Sequence, residues 1–368
     1  MTSFRQGIGS TRPLRQGLLA ILLFVGAFQG VAQAESARCT RVHLRTPQPL
    51  AINSTVYVES LGKIVVVDRL RNNLMLIDPN GETQLYDPKR LVESAEDMVP
   101  LYLSSLDQGF VLSMIDGRWL RLDRDLKKVE VADLTKGDAK GSIVSTYDSV
   151  SAGKRIFSFG AIQASDGQIH IGFFRAWSET PSHPEFLLDV AETDYYLLGH
   201  HYLTGLDGDQ YALLMSANKP VVLRFARNGT SQSLDIPERY RRAPELKHMA
   251  TGPSSEAAMY KEVESLTIPV GLFGQDGFLY LLTREPGPDG RTRWNLFRID
   301  PKRRQATRGM VLPTTANHLK ILNTTRNWYI FEEGSVHGLG QQEIASMLII
   351  PNDAIQSLAM PAACRTVD

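Results

Sequence analysis

Residue sets that would carry familiar chemistry are sparse in this chain. It has eight histidines, and imidazole serves as a metal ligand and as a general base near neutral pH. His200 and His201 are adjacent between Tyr195 and Leu203, on an expected strand. Neighbouring strand residues point to opposite faces, so the two cannot easily hold one ion together. His170 lies in an apolar strand pattern, whereas His183, His248 and His337 lie in expected loops. The sequence has no Gly-x-Ser-x-Gly nucleophile elbow, no Gly-rich phosphate loop and no His-Glu-x-x-His pair. Arg239, Arg241, Arg242, Lys247 and His248 make a basic stretch within 237–263, which reads as a solvated excursion or a ligand contact. Asn53, Asn228 and Asn323 begin glycosylation-type triplets, which matter only in a eukaryotic source.

The elements that must position these residues are bounded by composition. Forty Lys+Arg balance forty Asp+Glu, which leaves no electrostatic footprint for nucleic acid or an anionic membrane. Two cysteines exclude a disulfide-dense scaffold and a four-thiolate zinc site. Arg5, Arg12 and Arg15 precede an apolar run from Leu18 to Phe28, followed by Ala32-Gln33-Ala34. That is the pattern of a secretory signal peptide cleaved after Ala34. The run is too short for a membrane span of about 20 residues, and no later stretch approaches that length. Arg38 before Cys39 argues against lipidation of that cysteine. Residues 1–34 are therefore expected to be removed, leaving a secreted or periplasmic chain with no membrane span.

The remaining 334 residues exceed the usual single core, which calls for two domains or one repetitive architecture. The pattern is one of short apolar strands separated by Gly, Asp and Asn. Val56–Val58, Lys63–Val67, Leu74–Ile77 and Thr83–Tyr86 form a four-strand meander, with Asp78-Pro79-Asn80-Gly81 as its last turn. A turn between first and second strands recurs at Gly62, Gly109, Gly167, Gly208, Gly277 and Asn327, with spacings of 47, 58, 41, 69 and 50. Asp-Gly suits these sites because a two-residue hairpin needs positive φ. Six such units average about 56 residues, close to a propeller blade with long loops. Ser142–Tyr147 could be an extra strand, which leaves a seventh blade open.

Gly62-Lys63-Ile64-Val65-Val66-Val67-Asp68, Asn73-Leu74 and Asp78-Pro79-Asn80-Gly81 resemble the strand–Asp–loop–strand–Asp-x-x-Gly pattern of the NHL and strictosidine-synthase-like superfamily. The resemblance implies an all-β fold: a six-bladed β-propeller spanning 35–368, with four-stranded antiparallel blades and a loop insertion at 237–263. A propeller brings its chain ends together. Cys39 and Cys364, at opposite ends of an exported chain, are then expected to form a disulfide. Val42–Leu44 could complete the last blade beside Ile355–Leu358.

The resemblance also implies that loops between strands two and three share a face with the inter-blade loops. Those loops are taken as 176–184, 285–293 and 332–342, with 89–97, 133–154 and 237–263 between blades. The face would carry Trp177, His183, Arg239, His248, Arg291 and His337 as candidate binding residues. Lactonase-type relatives hold a divalent metal in the channel through Glu, Asn and Asp. Here the early Glu59 is followed by Ser60-Leu61 rather than Gly-Pro. The expectation is therefore a monomeric binding or interaction module for a protein or small molecule, without a cofactor. A lactonase-like hydrolase using a divalent metal and channel carboxylates is the alternative.

Overall fold

The computed structural model describes residues 39–46, 50–68, 70–86, 91, 99–106, 108–115, 117–133, 142–152, 155–163, 166–177, 185–189, 202–215, 220–226, 230–241, 266–335, 342–360 and 363–367. Among the described residues, twenty-five strands build six sheets, antiparallel but for one pair, arranged as the blades of a propeller. β1 (Thr40–His43) leads into blade one, which comprises β2 (Ile52–Val58), β3 (Lys63–Asp68), β4 (Asn73–Ile77) and β5 (Thr83–Leu85). Blade two holds β6 (Pro100–Leu106), β7 (Gly109–Met114), β8 (Arg118–Leu122) and β9 (Lys128–Asp133). Blade three holds β10 (Ser142–Ala152), β11 (Arg155–Gln163), β12 (Ile169–Trp177) and β13 (Glu185–Asp189). Blade four holds β14 (Tyr202–Leu206), β15 (Asp209–Met215), β16 (Pro220–Phe225) and β17 (Ser231–Leu234). Blade five holds β18 (Ile268–Gln275), β19 (Phe278–Pro286), β20 (Thr292–Asp300) and β21 (Gln305–Val311). Blade six holds β22 (His318–Asn323), β23 (Asn327–Ser335) and β24 (Gln342–Pro351), followed by the helix α1 (Asn352–Ser357) and β25 (Arg365–Val367).

The core sits between blades. Val56, Val65, Val67 and Leu74 of blade one pack on Leu103, Phe110 and Leu112 of blade two. Phe157, Phe159 and Phe173 of blade three pack on Leu203, Ala212 and Phe225 of blade four. A sheet covered on both faces has no polar side, so β3 and β7 read as nearly unbroken apolar runs and are buried almost throughout. Asp207-Gly208 and Asp276-Gly277 take positive φ at both residues, 52° and 83° in the first and 50° and 77° in the second. That is the backbone of a type I′ hairpin, whose twist matches the flanking strands.

Blade three departs from the sequence expectation. Asp166-Gly167 joins its second and third strands, not its first and second, and only the glycine has positive φ. Ser142–Tyr147 opens β10, the blade's first strand, so there is no seventh blade among the described residues and the 133–154 loop is largely strand. The reason is chemical: Asp-Gly suits several turn types, so it cannot by itself say which connection it makes.

The ring closes through blade six. β1 pairs antiparallel with β24 from Thr40↔Ile349 to His43↔Ser346, and β25 adds a fifth strand parallel to β1. Cys39 and Cys364 are disulfide-bonded with Cα atoms 4.6 Å apart. Ile355–Leu358 is not the partner of the N-terminal strand. Ile355 to Ser357 belong to α1, and Leu358 caps it in the left-handed region. The Arg41 guanidinium donates twice to Glu332, at 3.0 and 2.9 Å, and Thr314 and Ser346 hydroxyls also donate to that carboxylate. On the other side, Gly81 lies so close to β1 that a Cβ there would collide with the His43 carbonyl oxygen.

Cys39–Asp368 forms one compact unit. Residues 1–34, the expected leader, lie outside the described residues. No described helix is long and apolar enough to cross a membrane.

Candidate functional site

The first strand of each blade presents an edge toward the ring axis. Its unpaired N–H and C=O groups need partners away from bulk water. Small polar side chains on neighbouring first strands supply them. Asn53 Nδ2 donates to Leu101 O, and Leu103 N–H donates to Ser54 Oγ at 2.8 Å. Ser104 Oγ donates to Ser149 O at 2.8 Å, joining β6 to β10. Leu203 N–H donates to Asp148 Oδ2 at 3.0 Å, joining β10 to β14. Gly274 N–H donates to Thr204 Oγ1 at 2.8 Å, and Asn323 Nδ2 donates to Gly274 O at 3.1 Å. Of the side chains in these five junctions, only Asp148 is titratable.

That carboxyl is the centre of a polar cluster at one end of the axis. It accepts hydrogen bonds from the Tyr102 hydroxyl of β6, the Leu203 N–H of β14 and the Ser149 N–H of its own strand. Burial outweighs these bonds and the nearby Lys320 charge of β22, and raises its pKa from 3.8 to about 7. The Tyr102 hydroxyl is driven well above its ordinary range by burial and then by the Asp148 charge. Burial, then Asp148 and Glu333, also raises Tyr202, while Arg284 opposes the rise. Tyr102, Asp148, Tyr202 and Lys320 are all only half-buried, although they sit on innermost strands. Tyr202 also packs on the core between blades four and five, and the exposed parts of all four residues lie toward the axial space.

Strand direction places this cluster on the inter-blade side. First strands run from the inter-blade connections toward their hairpins. Tyr202 begins β14, and Tyr102 and Lys320 are third in β6 and β22. Glu333 pairs with His318 at the start of β22, and Arg284 pairs with Ile268 at the start of β18.

The residues expected from sequence fare unequally. Arg239, in the 3-10 turn Glu238–Tyr240, pairs with Glu285 at 3.3 Å and lies over the rings of Tyr240 and Phe297. Glu285 also accepts from Asn295 Nδ2 at 2.9 Å, with Arg293 3.6 Å away, so this rim cluster is internally satisfied. Arg291 projects from the β19–β20 turn, 71% exposed, with Asp289 3.6 Å away. Trp177 ends the third strand of blade three, not its second. The three-to-four connection that follows lies on the hairpin side, opposite Arg291. The structure therefore does not bring Trp177, Arg239 and Arg291 together. His183, His248 and His337, like His200 and His201, lie outside the described residues. Glu59 is exposed in the β2–β3 hairpin, on the side away from the cluster. His170 sits near the start of β12 with its ring edge on Phe186 at 5.9 Å. Among the described residues, no three His, Cys, Asp or Glu side chains gather as a metal site.

Sequence reasoning missed Tyr102, Asp148, Tyr202 and Lys320. Asp148 was hidden because 133–154 reads as a loop. The available signal was a charged residue within the first strand of a repeat, where Asp148 and Lys320 both stand.

No protein-family model matches the chain, and no curated protein matches it. Several hundred solved chains share its fold. A member of the DUF4221 family from Bacteroides vulgatus aligns with a TM-score of 0.54 at 9% identity, covering 85% of this chain and 96% of its own. A protein provisionally described as a gluconolactonase aligns with a TM-score of 0.50 at 12% identity, covering 85% and 92%. A gluconolactonase from Xanthomonas campestris aligns at 0.49 and 13% identity, covering 83% and 87%. At these identities the likeness concerns the fold alone.

Proposed function

We propose that the chain is an exported, ring-closed propeller that acts as a binding module, with its ligand seated at the axial mouth. One observation carries this reading: Tyr102, Asp148, Tyr202 and Lys320 come from four different innermost strands and stay half-buried around one point of the axis. Convergent polar and aromatic groups on rigid strands are what a small-ligand site requires. The expected signal peptide and the Cys39–Cys364 bridge support an oxidising compartment, secreted or periplasmic. The first-blade motif supports a place among the NHL and strictosidine-synthase-like propellers.

The test is a thermal-shift and native mass-spectrometry screen of polar metabolites against the mature chain and against Tyr202→Ala. Compounds that stabilise the wild type and lose their effect in the variant are the expected result. Turnover of lactones or phosphoesters by the purified protein, abolished by EDTA, would replace this reading with the metal-dependent hydrolase.

A further inference from the structure

We infer that the axial mouth is an oxyanion site whose ligand, of the carboxylate class, is taken up together with one proton on Asp148. This inference rests on the reading of the mouth as a binding site and names the chemistry of its ligand.

Lys320 is the first support. Its side chain is half-buried on β22 and acts electrostatically on Asp148 of β10. Among the described residues it makes no hydrogen bond or ion pair. A half-buried ammonium gains from a counter-charge placed beside it. The nearby Asp148 carboxylate attracts this ammonium but makes no ion pair with it, accepting instead from Tyr102, Leu203 and Ser149.

Local charge is the second support. The groups acting on this space are Tyr102 from β6, Tyr202 from β14, Lys320 from β22, Arg284 from β19 and Glu333 from β23. His318, also on β22, pairs in register with Glu333. With Asp148 ionised, the two cations balance the two carboxylates. With Asp148 neutral, the mouth carries one net positive charge. Among the described residues it is net negative in neither state, and with Asp148 neutral it favours an anion over a cation.

Hydrogen-bond direction is the third support. While Asp148 is ionised, the Tyr102 O–H points at it as donor. A proton entering between them makes the carboxyl the donor and Tyr102 the acceptor. The phenolic hydrogen is then free to turn toward the axial space, beside the Lys320 ammonium. The Leu203 N–H bond can persist on Oδ2, so the blade junction need not open. Protonation thus removes the charge that repels an anion and adds a donor that holds it. Titration of Asp148 near neutral pH makes the exchange accessible.

Isothermal titration calorimetry of the full mature chain with acetate, and with tetramethylammonium as the opposite charge, tests the inference. Two buffers of different ionisation enthalpy report the proton count. Acetate is expected to bind with proton uptake, about tenfold more weakly at pH 8 than at pH 6, because only the protonated fraction is competent. Lys320→Met should weaken acetate by about fivefold or more. Asp148→Asn, which carries an amide donor where the protonated acid has its hydroxyl, should bind acetate with no pH dependence. Circular dichroism and melting curves establish that both variants are folded. Equal acetate affinity at the two pH values, proton release, no acetate binding, or preference for tetramethylammonium overturns the inference. A neutral or cationic compound that binds the wild type and is lost in Tyr202→Ala would overturn the oxyanion class while leaving the mouth as the ligand site.

Discussion

Two carboxylates, one buried and one half-buried, tie this ring together, and they do so in opposite ways. Glu332, at the closure, takes two bonds from the Arg41 guanidinium and one each from Thr314 and Ser346. Asp148, between blades three and four, takes its bonds from uncharged donors and has only an indirect cation in Lys320. The first is a clasp built on a permanent cation, because arginine does not lose its proton. The second sits where the charged and neutral forms are nearly balanced. A carboxylate that must hold the ring shut is given a guanidinium and backed by a covalent bridge. A carboxylate that opens onto the axis is left able to titrate. Perturbed groups of the second kind gather at functional sites more often than clasps do.

Removing the covalent half of the closure should have the largest effect. With Cys39 and Cys364 both changed to Ser, a link across 325 residues is lost. The chain-entropy model gives roughly 5–6 kcal/mol as an upper figure, and losses of about 2–5 kcal/mol are typical. Chemical denaturation should show that loss, with circular dichroism unchanged below the transition. An unchanged midpoint would mean that β1 and β25 hold the ring without the bridge.

Arg41→Met comes next. It leaves Glu332 buried beside two hydroxyls with no cation, at a cost of about 2–3 kcal/mol, below the range for a fully buried pair because Arg41 is partly exposed. Combined with the cysteine change, the loss should differ from the sum of the two, since both act on one joint. Strict additivity would separate the clasp from the bridge.

Asp148→Asn should give the smallest change and the opposite sign. The folded pKa of Asp148 lies above its ordinary value, so the folded chain keeps this proton longer than the unfolded one. Its contribution to stability is therefore greatest below about pH 4, falls as pH rises toward 7, and is level above. The asparagine variant should lose that slope and be more stable than wild type at pH 8, by about 1–2 kcal/mol after allowance for its partial exposure to solvent. Melting curves from pH 4 to 8 measure this directly. A variant less stable than wild type at pH 8 would make Asp148 a structural clasp like Glu332.

The blades were legible because their signals are local. An Asp-Gly hairpin with both residues at positive φ is written in two letters, as at 207–208 and 276–277. The closure was legible in outline, because two cysteines near the two ends of a closed ring have one sensible pairing. The strand partner of β1 was not, since the apolar run of β24 and the buried Ala354 and Ile355 of α1 lie near the same end. Blade three slipped by one strand because the turn at 166–167 has the same letters as a hairpin turn but joins β11 to β12.

What the chain's own order of residues determined is the repeat, the turn chemistry, the paired cysteines and the twofold-buried apolar strands, each a property of neighbours in sequence. The axial site belongs to another level. Tyr102, Asp148, Tyr202 and Lys320 stand on four blades and share no motif. Each alone reads as an ordinary polar residue in a strand. Only closure of the ring brings their strands around one axis, and only there does burial lift Asp148 toward neutrality while leaving Lys320 without a partner among the described residues. A charge's environment is set by everything within a few ångströms, whatever its distance along the chain, and that environment exists only once the blades have met.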